Sequence, residues 1–496
     1  MRQNGGAAAC IDCLGGRLRE AGFAPSGPIA VDADPALLAL FDSVGDDDIP
    51  LHAAVLRLAD DQVVLHHLLA LPGCPQCGAA QSSISGSPAR ARVDAAHLLD
   101  PLLGIGSWLQ LTTPEESRPE DETSLCHALA GQVHTPDNRH SISARGQGFS
   151  AQATRLGHLG ETVERYAAFR PTAERLVHAR AAELPGPSLL GKALFGLDAE
   201  QRAAVGYGAL DGRRRIAWIE GRRICDDQPC WVPAAAIFLS REWNLDEARF
   251  CASVSHGMAA HCTAEKATTH ALHEIHERAC LTNAWHRQDF GVRLDVSSMG
   301  AGLRGLVQRI EAAGLQLMLS ALQLTPAKPV VLAMIHGDHP PWFIFGAGAN
   351  DTVQQAAESA VLEACSGWQA LVRRPEPVLR GWRLLQSEDA RGHHRYYASA
   401  ERAQTIVNAV IRGSHSAGPV DPEARCHIGL KQLARKISPD AVVVDLTPPD
   451  CAAAGFSVQR LVAPGLPIYA FGRVGTPRVF QRSHGLPDPP MPHPFR

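Results

Sequence analysis

Two segments of this chain carry one charged signature on the same small-residue background, and any fold must place both. They are Glu161-Thr162-Val163-Glu164-Arg165 and Glu274-Ile275-His276-Glu277-Arg278. Glutamates three apart leave a helix from one face, with the following arginine alongside. Taken singly, such a face is commonly a solvated one. Here Ala259, Ala260, Ala267 and Ala271 give the second segment a narrow back, and His273 and His276 flank its acids. The pair therefore reads as helices packed closely together that turn carboxylates inward. Buried carboxylates require cations, and two such faces suit Mg²⁺ and a triphosphate.

The rest of the chain fits a protein that buries a large core. It has 496 residues, 45% apolar and 20% charged, with net charge −4. That balance argues against a broad phosphate-neutralising surface, so nucleic acid is not an expected partner. No apolar run reaches the roughly 18 residues of a membrane span, and no signal-peptide core is evident. The expectation is a cytoplasmic protein without membrane contact. Thirteen cysteines then point to metal binding or buried thiols rather than disulfides.

Three regions are expected: a small module at 1–78, a linker at 79–89 rich in small polar residues, and a body at 90–496. The module is bounded by Cys10/Cys13 and Cys74/Cys77, two CxxC pairs suited to a closed structural Zn²⁺ site. In the body, 216–221, 330–334 and 342–345 favour strands through β-branched and aromatic content. Helices are expected at 151–168, 264–283, 300–313 and 351–369, the first capped by Ser150. The fold class is α+β, a mixed α/β body. Ala360-Val361-Leu362-Glu363-Ala364 makes a third acidic helix, a weak quasi-repeat of the first two.

These segments, taken in order, resemble the YcaO family, the ATP-using enzymes of thiazole/oxazole-modified peptide biosynthesis. Ser143-Ala144-Arg145-Gly146-Gln147-Gly148 followed by Leu159 to Tyr166 is similar to the family's opening glycine turn and first ExxERY. Trp218-Ile219-Glu220-Gly221 with Val232-Pro233-Ala234 resembles its central strand pair. Ser255-His256-Gly257-Met258-Ala259-Ala260 leading to Ala271 through Arg278 resembles the second motif. Gly346-Ala347-Gly348-Ala349 with 360–364 resembles the third. Several positions depart from the pattern: Gln147 stands for the usual Lys, His158 for Ser, His256 for Asn, and Ala279 for Asp. Ser366 lies where Gln is common.

The resemblance implies an ATP- and Mg²⁺-dependent cyclodehydratase acting on a ribosomally made precursor peptide. Glu161, Glu164, Glu274 and Glu277 would hold Mg²⁺. Arg165 and Arg278 would face phosphate, and Arg145, Gln147 and His158 would contribute to the nucleotide site. The tail 486–496, through Pro490, Pro492 and Pro494, resembles the PxPxP terminus of azoline-forming members, and its stiffness suits insertion toward the site. Cys10, Cys13, Cys74 and Cys77 also resemble the zinc-bearing tail of the ubiquitin-activating-enzyme-like cyclodehydratase component. No leader-binding module is apparent, so a separate leader-binding protein of that kind is the expected partner, in a hetero-complex or with the chain as a homodimer. A flavin-dependent azoline dehydrogenase would act afterwards. Thioamide or amidine formation, and a silent peptide-binding scaffold, are the alternative readings.

Overall fold

The computed structural model describes residues 11–21, 52–57, 62–67, 95–100, 104–114, 124–135, 142–171, 175–190, 194–239, 249–252, 254–324, 328–373, 393, 395–416, 420–469, 475–489 and 491–495. Cys10, Cys74, Cys77, Pro490 and the linker 79–89 lie outside them. Among the described residues no helix is long and apolar enough to cross a membrane.

Strands β1 (His52–Arg57) and β2 (Gln62–His67) form a separate antiparallel hairpin. The body holds three further sheets. The first is β3 (Gly106–Thr112), β4 (His127–Val133) and β5 (Ile142–Gly148), all antiparallel. The second joins β6 (Leu176–Ala179), β7 (Ile216–Arg223), β8 (Pro229–Pro233), β9 (Met258–His261), β14 (Val442–Asp445) and β15 (Ser457–Val462). Its path runs β6-β7-β14-β15-β9, with β8 paired to β7. The third is β10 (Val292–Arg293), β11 (Gln316–Gln323), β12 (Val330–His336) and β13 (Phe343–Ala349), in that order.

Four helices build the site and its support: α1 (Ile11–Glu20), α2 (Ala151–Ala168), α3 (Ala264–Arg287) and α4 (Val353–Arg373). Ser150 Oγ accepts from Ala153 N and Thr263 Oγ1 from Lys266 N, so each hydroxyl occupies an otherwise orphaned donor at a helix start. In α4 the buried positions 353, 356, 357, 360, 361, 364, 365 and 368 recur at helical period, which fixes one face against the third sheet.

The three longer helices alternate with the three sheets around a closed ring. Leu159, Val163 and Tyr166 of α2 share a core with Ala144 and Val133 of the first sheet and Ala217, Ile219 and Val458 of the second. The N-terminal half of α3 packs Ala271, Leu272 and Ile275 on Ala259 and Leu461 of the second sheet. Its C-terminal half packs Leu281 and Trp285 on Leu332 and Met334 of the third. Helix α4 covers Val331, Ala333 and Ile335 on the other face of that sheet and returns to Leu125 and Cys126 at the entry to β4. The period-2 alternation along β12 thus sends odd residues to one core and even residues to the next, which explains an unbroken apolar run in an antiparallel strand.

Helix α1 is fastened to this ring by charge. Arg17 is fully buried, donating to Asp450 Oδ2 at 2.6 Å and to the Tyr166 hydroxyl at 2.8 Å. Tyr166 in turn donates to the same Asp450 oxygen at 2.6 Å. Every member of the triad is satisfied by another, and this is the condition under which a buried ion pair is tolerated. Arg17→Ala strands the Asp450 carboxylate and should cost about 3–5 kcal/mol, read as a lowered denaturant midpoint. Arg17→Met with Asp450→Leu should recover most of that loss.

Candidate active site

Each sheet of the ring ends in an edge strand that leads into the helix lying on it, and an edge strand carries backbone N–H groups with no strand partner. In all three cases a glutamate of the following helix accepts from one of them. Arg145 N at β5 donates to Glu161 Oε2 at 2.9 Å, and Gly257 N just before β9 donates to Glu274 Oε2 at 2.9 Å. Ala347 N in β13 donates to Glu363 Oε2 at 2.7 Å. Donor and acceptor are 16, 17 and 16 residues apart. The third acidic helix is therefore a geometric equivalent of the two ExxER helices. Glu363 belongs to the quasi-repeat and to the third motif-like block of the sequence, though neither reading gives it a ligand role.

Close backbone contact makes this reach short enough. A Cβ on Gly346 would run into the Ala360 carbonyl oxygen of α4, so only glycine lets β13 lie directly on its helix. Gly257 sits at φ +76°, in the left-handed region that favours glycine, and a side chain there would also meet the Leu461 carbonyl.

The three carboxylates line one cleft of about 330 Å³, with Arg165 and Arg278, Arg145 and Gln147 at the same opening. Ser255, His256 and Ser366 add polar wall, while Leu332, Phe345 and Phe495 make it apolar on the other side. Arg165 pairs with Glu161 and Glu164, both at 3.3 Å. Arg278 stands 3.7 Å from Glu274 and 3.8 Å from Glu277, and donates to the Tyr469 hydroxyl. Glu164 and Glu277 do not line the cleft; they lie behind it, against the guanidinium groups.

His158 is placed elsewhere. It is fully buried, and a Cβ on Gly131 would meet its ring, so it packs helix α2 against the first sheet rather than facing the cleft. The expectation that it contacts nucleotide is corrected accordingly: its position on α2 is one turn before Glu161, on the face that the sheet covers. Burial also lowers its pKa. His256, by contrast, does face the cleft, and burial together with the Arg278, Arg460 and Arg165 cations holds it well below the usual imidazole range. It is neutral at physiological pH.

The tail reaches this wall. Its carbonyls accept from side chains of the body: Met491 from Trp285 Nε1 at 3.0 Å, Pro492 from the Tyr397 hydroxyl, and Pro487 and His493 bond His286 Nδ1 and His393 Nδ1 at 2.7 and 2.8 Å. Proline has no N–H to leave unsatisfied, so a Pro-rich strand can be buried by supplying donors on one side only. Phe495 is 3% exposed and meets Trp285, Phe345 and Tyr469 edge-on or tilted at 5.6–5.9 Å between ring centres.

The charge balance tests the fit of Mg²⁺. Five carboxylates (Glu161, Glu164, Glu274, Glu277 and Glu363) share the region with four guanidinium groups, those of Arg145, Arg165, Arg278 and Arg460. Burial, reinforced by neighbouring carboxylates, pushes Glu164 and Glu277 up to about 8. Protonation of this pair thus absorbs the anionic surplus at neutral pH, and a divalent cation would displace protons. Among the described residues no group of three His, Cys, Asp or Glu side chains is placed to hold a metal ion without other ligands. Mg²⁺ is commonly bound through one or two carboxylates plus phosphate oxygens and water. Hard oxygen donors and a surplus of negative charge fit it; the zinc expectation has only Cys13 among the described residues, where it is buried.

This protonation makes stability depend on pH. The folded value of about 8 exceeds the ordinary 4.5, so the folded state holds protons that the unfolded chain has released. Stability without metal should therefore fall as pH rises from about 5 to about 8. Thermal unfolding should show that slope, Glu164→Gln with Glu277→Gln should flatten it, and Mg²⁺-nucleotide should raise the melting temperature more at about pH 8.5 than at about pH 6.

Residues 145–467 match the family described as YcaO cyclodehydratase, ATP- and Mg²⁺-binding. Among solved structures, a heterocyclase in complex with substrate and cofactor superposes with a TM-score of 0.74 at 17% identity, over 98% of this chain and 75% of that one. The YcaO protein of Methanopyrus kandleri bound with AMPPCP and Mg²⁺ gives 0.53 at 17%, over 73% and 86%. The E. coli microcin synthetase McbBCD complex with pro-MccB17 bound gives 0.52 at 13%, over 72% and 90%. No curated protein sequence matches. With about two thirds of its length inside the family match and the mixed antiparallel architecture shared with these heterocyclases, the chain belongs to the YcaO cyclodehydratase family.

Proposed function

We propose that this protein is the ATP- and Mg²⁺-dependent cyclodehydratase that forms thiazoline or oxazoline rings in the backbone of a ribosomally made precursor peptide. The observation that carries the azoline reading is the tail, whose Phe495 forms part of the same cleft as the three N–H-anchored carboxylates. In this reading Glu161, Glu274 and Glu363, backed by Glu164 and Glu277, hold Mg²⁺, which neutralises phosphate charge when bound. Arg165 and Arg278 present guanidinium donors to phosphate oxygens. Arg145 and Gln147 border the nucleotide, and Pro490, Pro492 and Pro494 keep the tail in register.

The peptide chemistry needs positioning more than covalent help. A Cys, Ser or Thr side chain adds to the preceding carbonyl carbon. That C–S or C–O bond closes the ring as the nucleophile gives up its proton; the oxygen takes the γ-phosphoryl group of ATP and departs as phosphate, and C=N forms within the ring as the amide nitrogen gives up its proton. The peptide loses the elements of one water, and ADP and phosphate are released. A ubiquitin-activating-enzyme-like partner would deliver the leader, the complex would be hetero-oligomeric or built on a homodimer, and a flavin enzyme would oxidise azoline to azole. Cys10, Cys13, Cys74 and Cys77 are assigned to a structural Zn²⁺ in the N-terminal module, a site for docking rather than chemistry.

The test combines phosphate release with mass spectrometry of a precursor peptide, in the presence of its leader-binding partner. One water lost per phosphate released is expected. Glu161→Ala, Glu274→Ala and Glu363→Ala should each reduce the rate by about 10²–10³. Product that appears only with added sulfide or amine would replace the azoline reading with a thioamide or amidine one. Peptide binding without turnover would leave a scaffold.

A further inference from the structure

The two ExxER units differ at their arginines. Arg165 is closed onto both of its glutamates at 3.3 Å, whereas Arg278 stands 3.7 Å from Glu274 and 3.8 Å from Glu277, outside hydrogen-bond range. What Arg278 has in addition is Tyr469, in the loop after β15. Arg278 Nη1 donates to the Tyr469 hydroxyl, while Nη2 and Nε are the atoms nearest the two acids. Burial pushes the Tyr469 hydroxyl up to about 12, so it is a neutral acceptor. Such an acceptor orients a guanidinium without cancelling its charge, whereas a carboxylate does both. Arg278 thus keeps charge to offer, and its side chain, 15% exposed, lines the carboxylate cleft.

Tyr469 is itself held from two sides. Its backbone N–H donates to Thr282 Oγ1 at 3.1 Å, and that hydroxyl donates to the Arg278 carbonyl at 2.8 Å, so tyrosine and arginine are fastened to one turn of α3. The ring, 2% exposed, lies 4.3 Å from that of His493 and 5.6 Å from that of Phe495, both in the tail. His256, which borders the cleft, meets it edge-on at 5.6 Å. A ring clamped in this way has one place for its hydroxyl. We infer that Tyr469 is a positioning residue: its hydroxyl holds Arg278 away from Glu274 and Glu277 and toward the nucleotide phosphates, and the tail, through His493, holds its ring. The inference rests on the reading that Arg278 faces phosphate, and it gives the tail a part in nucleotide recognition. Without the hydroxyl, Nη1 loses its acceptor and the guanidinium closes onto its two acids, as Arg165 does. A phosphate donor is then exchanged for an internal ion pair.

Binding of AMPPCP with Mg²⁺ is measured by calorimetry on the full chain, and folding of each variant is checked by circular dichroism. Tyr469→Phe keeps the ring and removes only the hydroxyl. It should weaken AMPPCP about tenfold, the scale of a lost hydrogen bond to a charged group. Thr282→Val, isosteric but without the fastening hydroxyl, should weaken it as well and serves as the second variant should the first fail to fold. His493→Ala should weaken binding about threefold alone and add nothing in the Tyr469→Phe background, because the two act along one path. In the phosphate-release assay the KM for ATP should rise about tenfold in Tyr469→Phe, while that for precursor peptide stays within about twofold. Unchanged AMPPCP affinity in both Tyr469→Phe and Thr282→Val, additive losses with His493→Ala, or a peptide KM that rises as far as that for ATP would overturn the positioning role. A wild type that binds no AMPPCP would reject the phosphate role of Arg278 and the inference with it. Weakened AMPPCP binding as stated, with no dehydration of precursor by the wild type, would keep the inference and reject the cyclodehydratase.

Discussion

A backbone N–H on an edge strand, captured by a glutamate of the next helix, is the interaction on which the site depends. It solves two problems with one contact. The edge strand's donor would otherwise be an unsatisfied group at a sheet margin, and the glutamate would otherwise be free to swing. Fixing one carboxylate oxygen leaves the other aimed at the centre, where Arg165 and Arg278 meet it at 3.3 and 3.7 Å. Because the device occurs in each of three strand–helix units, three acids from Glu161 to Glu363 converge without any of them sitting on a loop.

The ring arrangement explains why the acids are both crowded and tolerated. Each helix is held between two sheets by apolar contacts, so the carboxylates cannot retreat to solvent. Their mutual repulsion is absorbed by protonation of Glu164 and Glu277 and by the guanidinium groups beside them. Such a centre is poised rather than relaxed. A divalent cation carrying phosphate would supply a stronger neutralising charge than these protons, and Glu161, Glu274 and Glu363 each already have one oxygen fixed by backbone.

Much of this was legible in the sequence, and for local reasons. Ser150 before a small-residue run marks the start of α2, and the burial of Ala267 and Ala271 at the back of α3 follows from their spacing. The first glutamate of each ExxER motif lines the cleft, whereas Glu164 and Glu277 lie behind it. What escaped was decided by tertiary packing. His158 lies one turn before Glu161 but on the helix face that packs on Gly131 of the first sheet, a long-range contact that no spacing reveals. Glu363 has no ExxER around it, so the weak quasi-repeat gives it no ligand role, and its place beside Glu161 and Glu274 comes from the Ala347 N–H. Arg460 and Tyr469 come from a strand and a loop far beyond α3 in the chain, with no motif around them. Arg17, on a short helix of ordinary amphipathic character, gave no sign that Asp450 awaited it.

The closed ring has a consequence for how the molecule is made. Its acids come from helices widely separated in the chain, and the second sheet is complete only when β14 and β15 return to β7 and β9 from beyond the third sheet. A molecule with two cores formed and the third still open has no centre at all, only isolated glutamates on separate surfaces. Competence to bind the charged ligand is thus a late, all-or-none property of folding, and a nascent or damaged chain is prevented from holding a nucleotide by geometry alone.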